Sequence, residues 1–221
     1  MRDYFVRISK VILGLVLYSI GLLLSIHANI GLAPWDAFSI GVSGLTGISY
    51  GNVSIITGII ILIVVVLLLK EKIGLATVLN TVLIGIFVDI LQSFDFVPYM
   101  TDFVLGVLML LVGQFIVCLA TYFYISPGLG CGPRDTLMVA LGKCFPKIPI
   151  GAIRGSIEGT VLIIGWLLGA KVGLGTVIAV FGIGFVMQLT FKLLRFDVKA
   201  VVHESIIQTA AVLKVKSGSP E

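Results

Sequence analysis

Two carboxylates stand behind helix breakers in otherwise apolar surroundings. Asp36 lies in "GLAPWDAFSIG" (31–41) and Asp135 in "GCGPRDTLMVALG" (130–142), and the two stretches share Gly, Pro and Asp at the same spacing. Proline suits the first turn of a helix, where a missing N–H costs no intrahelical bond. The aspartate two residues on falls in the same turn, near free N–H groups and the positive end of the helix dipole. Two chemistries are open to such a pair. Each carboxylate can cap its own helix, or two opposed helix N-termini can flank a polar site that takes a solute or an ion. Trp35 precedes the first aspartate and Arg134 the second, so a shared site would be lopsided, with an aromatic wall facing a cation.

A second charged pair lies downstream. "IRGSIEG" puts Arg154 and Glu158 four residues apart, on one face of a helix. The plain reading is an internal ion pair. The functional one is a carboxylate that carries a proton or cation, because placing it in a membrane span costs ~2.5–3.5 kcal/mol. The candidate substrate- or ion-binding residues are therefore Pro34, Trp35, Asp36, Pro133, Arg134, Asp135, Arg154 and Glu158. Asp89, His27 and Asn29 read as interfacial, and Gln114 as an interhelical hydrogen bonder. No second His or Cys is spaced to make His27 a metal ligand, and Cys118, Cys131 and Cys144 read as free thiols. Phosphate-loop, zinc-protease, nucleophile-elbow and dinucleotide fingerprints are absent from the sequence. No catalytic residue, metal or cofactor is expected, and the chain does not read as an enzyme.

The elements that must position these residues are membrane spans. Of 221 residues 58% are hydrophobic and only 12% charged, with mean hydropathy +1.18. A soluble surface needs about twice that charge. The net charge of +4 reflects cations gathered on one membrane side, not nucleic-acid binding. The fold class expected is all-α: a polytopic bundle with spans at about 9–28, 52–69, 73–92, 103–125, 150–170 and 172–192. The first follows basic residues as a signal peptide would, but no small-residue cleavage pattern follows, so it reads as retained. The stretches 34–45 and 133–143 reach only about half of a ~30 Å hydrocarbon core and read as broken or re-entrant helices. With six spans and a cytoplasmic N-terminus, nearly every Lys and Arg falls inside and only Lys171 outside, as the positive-inside rule requires. Eight spans would move Lys70 and Lys72 outside.

The chain also repeats. "LGLVLYSIG" (13–21) aligns with "LGVLMLLVG" (105–113), and "KIGLATV" (72–78) with "KVGLGTV" (171–177). The offset grows from 92 (13 to 105) to 99 (31 to 130), so the second copy carries extra residues before its motif. Three spans and one short helix per copy force opposite orientations, an inverted 3+3 repeat. Residues 1–195 form one transmembrane domain, with repeat one at about 8–94 and repeat two at about 103–195. Residues 196–221 read as a cytoplasmic amphipathic helix, with an apolar stripe from Val198 to Leu213, and a frayed tail. Gly151, Gly155 and Gly159, and Gly165 with Gly169, predict close helix packing.

The paired Gly-x-x-Pro-x-Asp motifs, over about residues 8–195, resemble the YczE/YyaS/YitT group of bacterial integral membrane proteins, most of all its YczE-like branch. The resemblance implies a bacterial plasma-membrane protein and carries no substrate or site residue with it. The tail is shorter than the soluble domain of the YitT branch. The expected function is a small secondary transporter or permease for a small solute, with ion or proton coupling open to it. The alternative is a non-transporting accessory or scaffold protein. Expected partners are membrane lipid, a small-molecule or ion substrate, and a second copy or a membrane partner protein, with no nucleic acid.

Overall fold

The computed structural model describes residues 2–217, the side chains of Arg2, Lys199 and residues 213–217 excepted. Nine α-helices are present among them. They are α1 (Arg2–His27), α2 (Pro34–Thr46), α3 (Tyr50–Ile63), α4 (Leu75–Ser93), α5 (Phe103–Ile125), α6 (Pro133–Cys144), α7 (Ile150–Leu167), α8 (Leu174–Leu193) and α9 (Ile206–Ser217). A π-helical turn at Val64–Leu68 prolongs α3. Six of these helices are long and apolar enough to cross a membrane: α1, α3 with its π turn, α4, α5, α7 and α8. The short α2 and α6 both begin on a proline, as the breaker motifs required.

Glycine sets the central seam. A Cβ on Gly14 would sit 3.0 Å from the Ala120 carbonyl oxygen, one on Gly21 2.7 Å from that of Gly113, and one on Gly106 2.7 Å from that of Ala28. Each seven-residue step up α1 matches a seven-residue step down α5, so these helices run antiparallel in close contact. The same contacts return when positions are exchanged by the offset of 92. A second set behaves likewise at the offset of 99. Gly31 packs on Gly173 and Thr176, and Gly130 on Gly74 and Thr77. Gly175 N–H donates to Ile30 O (2.9 Å), and Ala76 N–H to Leu129 O (2.8 Å). Gly31 and Gly130 hold φ of +132° and +122°, a conformation in which a side chain is strained.

The two halves differ at their rims. α3 packs along α4, while the corresponding α7 and α8 share no extended face; α2 packs along α7, and α6 lies more lightly on α3. The glycine expectation needs correction accordingly. Gly165 does pack closely, its Cβ position 2.5 Å from Phe38 N, but Gly151, Gly155, Gly159 and Gly169 have nothing within 4 Å. Small residues permit close packing; they do not supply the neighbour.

The C-terminal segment also differs from expectation. Val198–Ala200 forms a 3-10 turn and helix begins only at Ile206, so Val198 to Ile206 share no helical stripe, and residues 218–221 and the side chain of Leu213 lie outside the described part. The reason is local. Glu204 N–H donates to Gly128 O (2.8 Å) and Ile206 N–H to Ile73 O (3.0 Å). The Glu204 carboxylate accepts from Arg7 (2.8 Å) and Tyr4 (2.7 Å), and Ser205 caps α9 by accepting from Gln208 N–H. The segment is strapped across the end of the bundle that carries both termini.

Candidate functional site

Prolines at N1 of α2 and α6 start both helices inside the bundle, and both face one cavity of about 180 Å³. Pro34, Trp35, Asp36, Pro133, Arg134, Asp135, Arg154 and Glu158 all line it. Each span adds residues from near its own midpoint: Tyr18 from α1, Gly58 from α3, Thr81 from α4, Gln114 from α5, Glu158 from α7 and Ile183 from α8. In a bilayer-spanning bundle such a cavity lies at about half depth.

The polar groups are held in distinct ways. The Arg134 guanidinium stacks over the Trp35 ring, 4.9 Å from its centroid, joining the two half-helices by a cation–π contact. No carboxylate lies within ion-pair distance of Arg134 among the described residues. Asp36 is buried at 3% exposure and accepts a hydrogen bond from the Tyr50 hydroxyl (2.8 Å). Neither α2 nor α6 has a side-chain hydrogen bond at its N-cap, but Asp36 and Asp135 both stand in the first turn, where the helix dipole favours a carboxylate. The prolines place Ala33 and Gly132, neither with a polar side chain, at the cap positions. Arg154 and Glu158 pair as the spacing predicted, at 2.8 Å, with side chains 49% and 24% exposed. Their exposure follows from the missing contact between α7 and α8.

Asn80 and Tyr124, which the sequence left unmarked, also line the cavity, as does Gln114, read there as an interhelical hydrogen bonder. Asp135 Oδ2, Asn80 Oδ1 and Tyr124 OH each lie 3.6 Å from where a Cβ on Gly132 would be. Gln114 donates weakly to Ile178 O (3.5 Å), and its buried Oε1 has no partner. Lone polar residues in apolar spans were the available signal.

A second recess of about 470 Å³ opens at the end of the bundle away from the termini, lined by Ser49, Tyr50, Asp89 and Tyr99 among others. Asp89 there accepts from Ser49 (2.5 Å) and Gly51 N–H (2.8 Å), tying α4 to the start of α3. Tyr50 lines this recess while its hydroxyl meets Asp36 of the central cavity. Asp89 is thus a structural ligand of α3. His27 is the last residue of α1 and is buried at 2%, its ring stacked on Tyr99 (4.0 Å) and its Nδ1 meeting Val97 O (2.6 Å) in the loop at that end of the bundle. Asn29 is bound by Lys171 Nζ (2.8 Å) at the same end. Among the described residues no group of three His, Cys, Asp or Glu is placed to hold a metal.

A model of a family of unknown function, DUF6198, matches residues 5–192, taking in the seam, both half-helices and all eight candidate residues. The chain belongs to the DUF6198 family. Its relatives include the uncharacterized membrane protein YczE of Bacillus subtilis (strain 168), 29% identical over 179 residues, covering 80% of this chain and 81% of the relative. An uncharacterized protein of Haemophilus influenzae (strain ATCC 51907 / DSM 11121 / KW20 / Rd) is 32% identical over 187 residues, 85% of this chain and 84% of its own. YyaS of Bacillus subtilis (strain 168) is 23% identical over 169 residues, 76% and 84%. This DUF6198 protein thus falls in the YczE/YyaS group to which its paired motifs pointed. No solved structure matches it.

Proposed function

We propose that this protein is a small secondary transporter or permease for a small solute, coupled to an ion or proton. In this reading it sits in the bacterial plasma membrane with both termini cytoplasmic. One observation carries it: two half-helix N-termini meet at a polar cavity midway along all six spans, the arrangement broken-helix transporters use. The reciprocal contacts of α1 with α5, antiparallel and exchanged by the repeat offset, support an inverted 3+3 repeat. The unequal rims support two access states. On the side away from the termini Tyr50 closes on Asp36; across the second half, α7 and α8 leave the wall incomplete. Exchanging the conformations of the halves would exchange the open and closed sides. Asp36, Asp135 and Glu158 are the carriers available to a coupling ion. No catalytic step belongs to this reading.

Purified protein in liposomes tests it. Uptake above empty liposomes is expected for at least one member of a panel of small anions and amino acids, lost in Asp36→Asn and Asp135→Asn variants that still insert. No uptake and no binding across the panel would overturn it. Aspartate and asparagine variants working equally would remove the ion-site role. A membrane accessory protein is the second reading, favoured by the small face of α7, where Gly151, Gly155 and Gly159 meet nothing within 4 Å. Recovery of a stoichiometric membrane partner, with its activity indifferent to both Asp→Asn changes, would favour it.

A further inference from the structure

The five charged side chains on the central cavity do not cancel. Arg154 and Glu158 satisfy each other at 2.8 Å, which leaves Arg134 against Asp36 and Asp135. These three are spread, not paired. Arg134 offers its planar fork with one face on Trp35 and no carboxylate within reach. It stands at the N-terminus of α6, facing that of α2, where both dipoles add to the attraction for an anionic group. A guanidinium so held suits a carboxylate, which it can take with two parallel hydrogen bonds.

Oxygen acceptors gather elsewhere on the wall. Asp135 Oδ2, Asn80 Oδ1 and Tyr124 OH gather beside Gly132, each 3.6 Å from where its Cβ would be, and the residue has no side chain to project among them. Gln114, 3% exposed, presents an Oε1 with no donor. A buried acceptor without a partner costs ~1–3 kcal/mol, which a ligand N–H would recover. Three oxygens bordering one small space suit an ammonium, which has three donors and no acceptor. The volume limits the rest. About 180 Å³ is the share of roughly six waters at ~30 Å³ each, below the ~300–1,000 Å³ of pockets for drug-sized ligands.

We propose that this cavity binds a small zwitterion of the neutral amino acid class, its carboxylate on Arg134 and its ammonium among Asp135, Asn80 and Tyr124. As a substrate assignment, this rests on the transporter reading above; binding itself does not. A zwitterion adds no net charge, so one surplus carboxylate is left for a coupled cation or proton.

Binding is measured on the full chain in lipid nanodiscs. Its two tryptophans are Trp35 and Trp166. Trp166 is 61% exposed and away from the cavity, so Trp166→Phe leaves Trp35 as the sole fluorophore, beside Arg134. Glycine, L-alanine and L-serine should shift Trp35 emission saturably. Propionate and ethylamine, each with one of the two charges, should bind at least about tenfold more weakly, the scale of one lost charged hydrogen bond. Gly132→Ala is the decisive variant. Its φ is −61° and the three nearest neighbours of the new methyl lie at 3.6 Å, so the bundle accommodates it while the methyl projects toward the ammonium's three oxygens. Binding of L-alanine should fall about tenfold or more, with thermal stability unchanged.

Ethylamine or propionate binding as well as L-alanine, L-alanine binding unaffected by Gly132→Ala, or no binding of any zwitterion would each overturn the proposal. Liposome uptake separates it from the transporter reading. Zwitterion binding without flux would sustain this proposal and remove transport; flux of a different solute class would do the reverse.

Discussion

Adding a single methyl group at Gly21 tests how the two halves are joined. A Cβ there would stand 2.7 Å from Gly113 O and from Val117 Cγ2, and 2.9 Å from Val117 N. Real Cβ contacts with such atoms lie near ~3.4 Å or beyond, and two of the three are backbone, so the neighbours cannot turn aside. α1 and α5 must separate instead. Overpacking of this kind costs ~1–3 kcal/mol, against a gain of roughly 0.5–1 kcal/mol from replacing a helical glycine by alanine. The net loss for Gly21→Ala is up to about 2.5 kcal/mol, and relative to an unopposed glycine-to-alanine change it is about 1–3 kcal/mol, or several degrees at ~2–4 °C per kcal/mol for a chain of this length. Gly113→Ala should cost about as much, because its Cβ would meet Gly21 O at 2.8 Å. The double variant should lose less than the sum, since one separation relieves both overlaps. Gly155→Ala, with nothing within 4 Å, should be neutral or slightly stabilising. Thermal unfolding of the four variants in one detergent is the assay. Equal melting of Gly21→Ala and Gly155→Ala, or full additivity in the double variant, would refute the reciprocal seam.

Further expectations concern the closed side, the strap and the cation–π contact. Tyr50→Phe removes the hydrogen bond that the Asp36 carboxylate accepts from the Tyr50 hydroxyl. Losing one to a charged group costs ~1.5–3 kcal/mol, so opening on that side should rise about tenfold or more, read as hydrogen exchange near the start of α3. For Glu204, burial acts to raise the carboxyl's pKa, but hydrogen bonds from Tyr4 and Arg7 outweigh it and hold it below its ordinary 4.5. A depressed folded pKa means the strap is fully stabilised above pH 4.5 and weakens as pH falls through the folded value. Protection of Glu204 N–H relative to its intrinsic exchange rate should therefore be high at pH 7 and fall in acid, and Glu204→Gln should abolish that pH dependence of protection. Arg134→Gln should change Trp35 emission by removing the cation from its ring, while Lys143→Gln, at the exposed pair with Glu71, should leave it unchanged.

The spans were legible because each is a continuous apolar run closed by charge, Gly or Pro, and the half-helices because proline marks N1. α1 reaches back to Arg2, further than its apolar run, because Tyr4 and Arg7 hold the C-terminal strap. That contact joins residues about two hundred apart, and nothing local announces it. The charged members of the cavity stood out because charge is rare in spans. Tyr50, Asn80 and Tyr124 did not, since a lone polar residue in a span reads the same whether it bonds a neighbouring helix or faces a cavity. Which small-residue face finds a neighbour was equally hidden: glycines recur at helical spacing on both α1 and α7, yet Gly21 meets α5 while Gly155 meets nothing within 4 Å.

The central claim is that one midplane cavity opens alternately to the two sides. Thr57 lines that cavity from α3. With Cys118, Cys131 and Cys144 replaced by serine, a single Thr57→Cys can be labelled in sealed vesicles by a membrane-impermeant thiol reagent from either face in turn. The account predicts labelling from both faces, slower from the side Tyr50 closes and accelerated there by Tyr50→Phe. Labelling from one face only, unchanged by Tyr50→Phe, would contradict it.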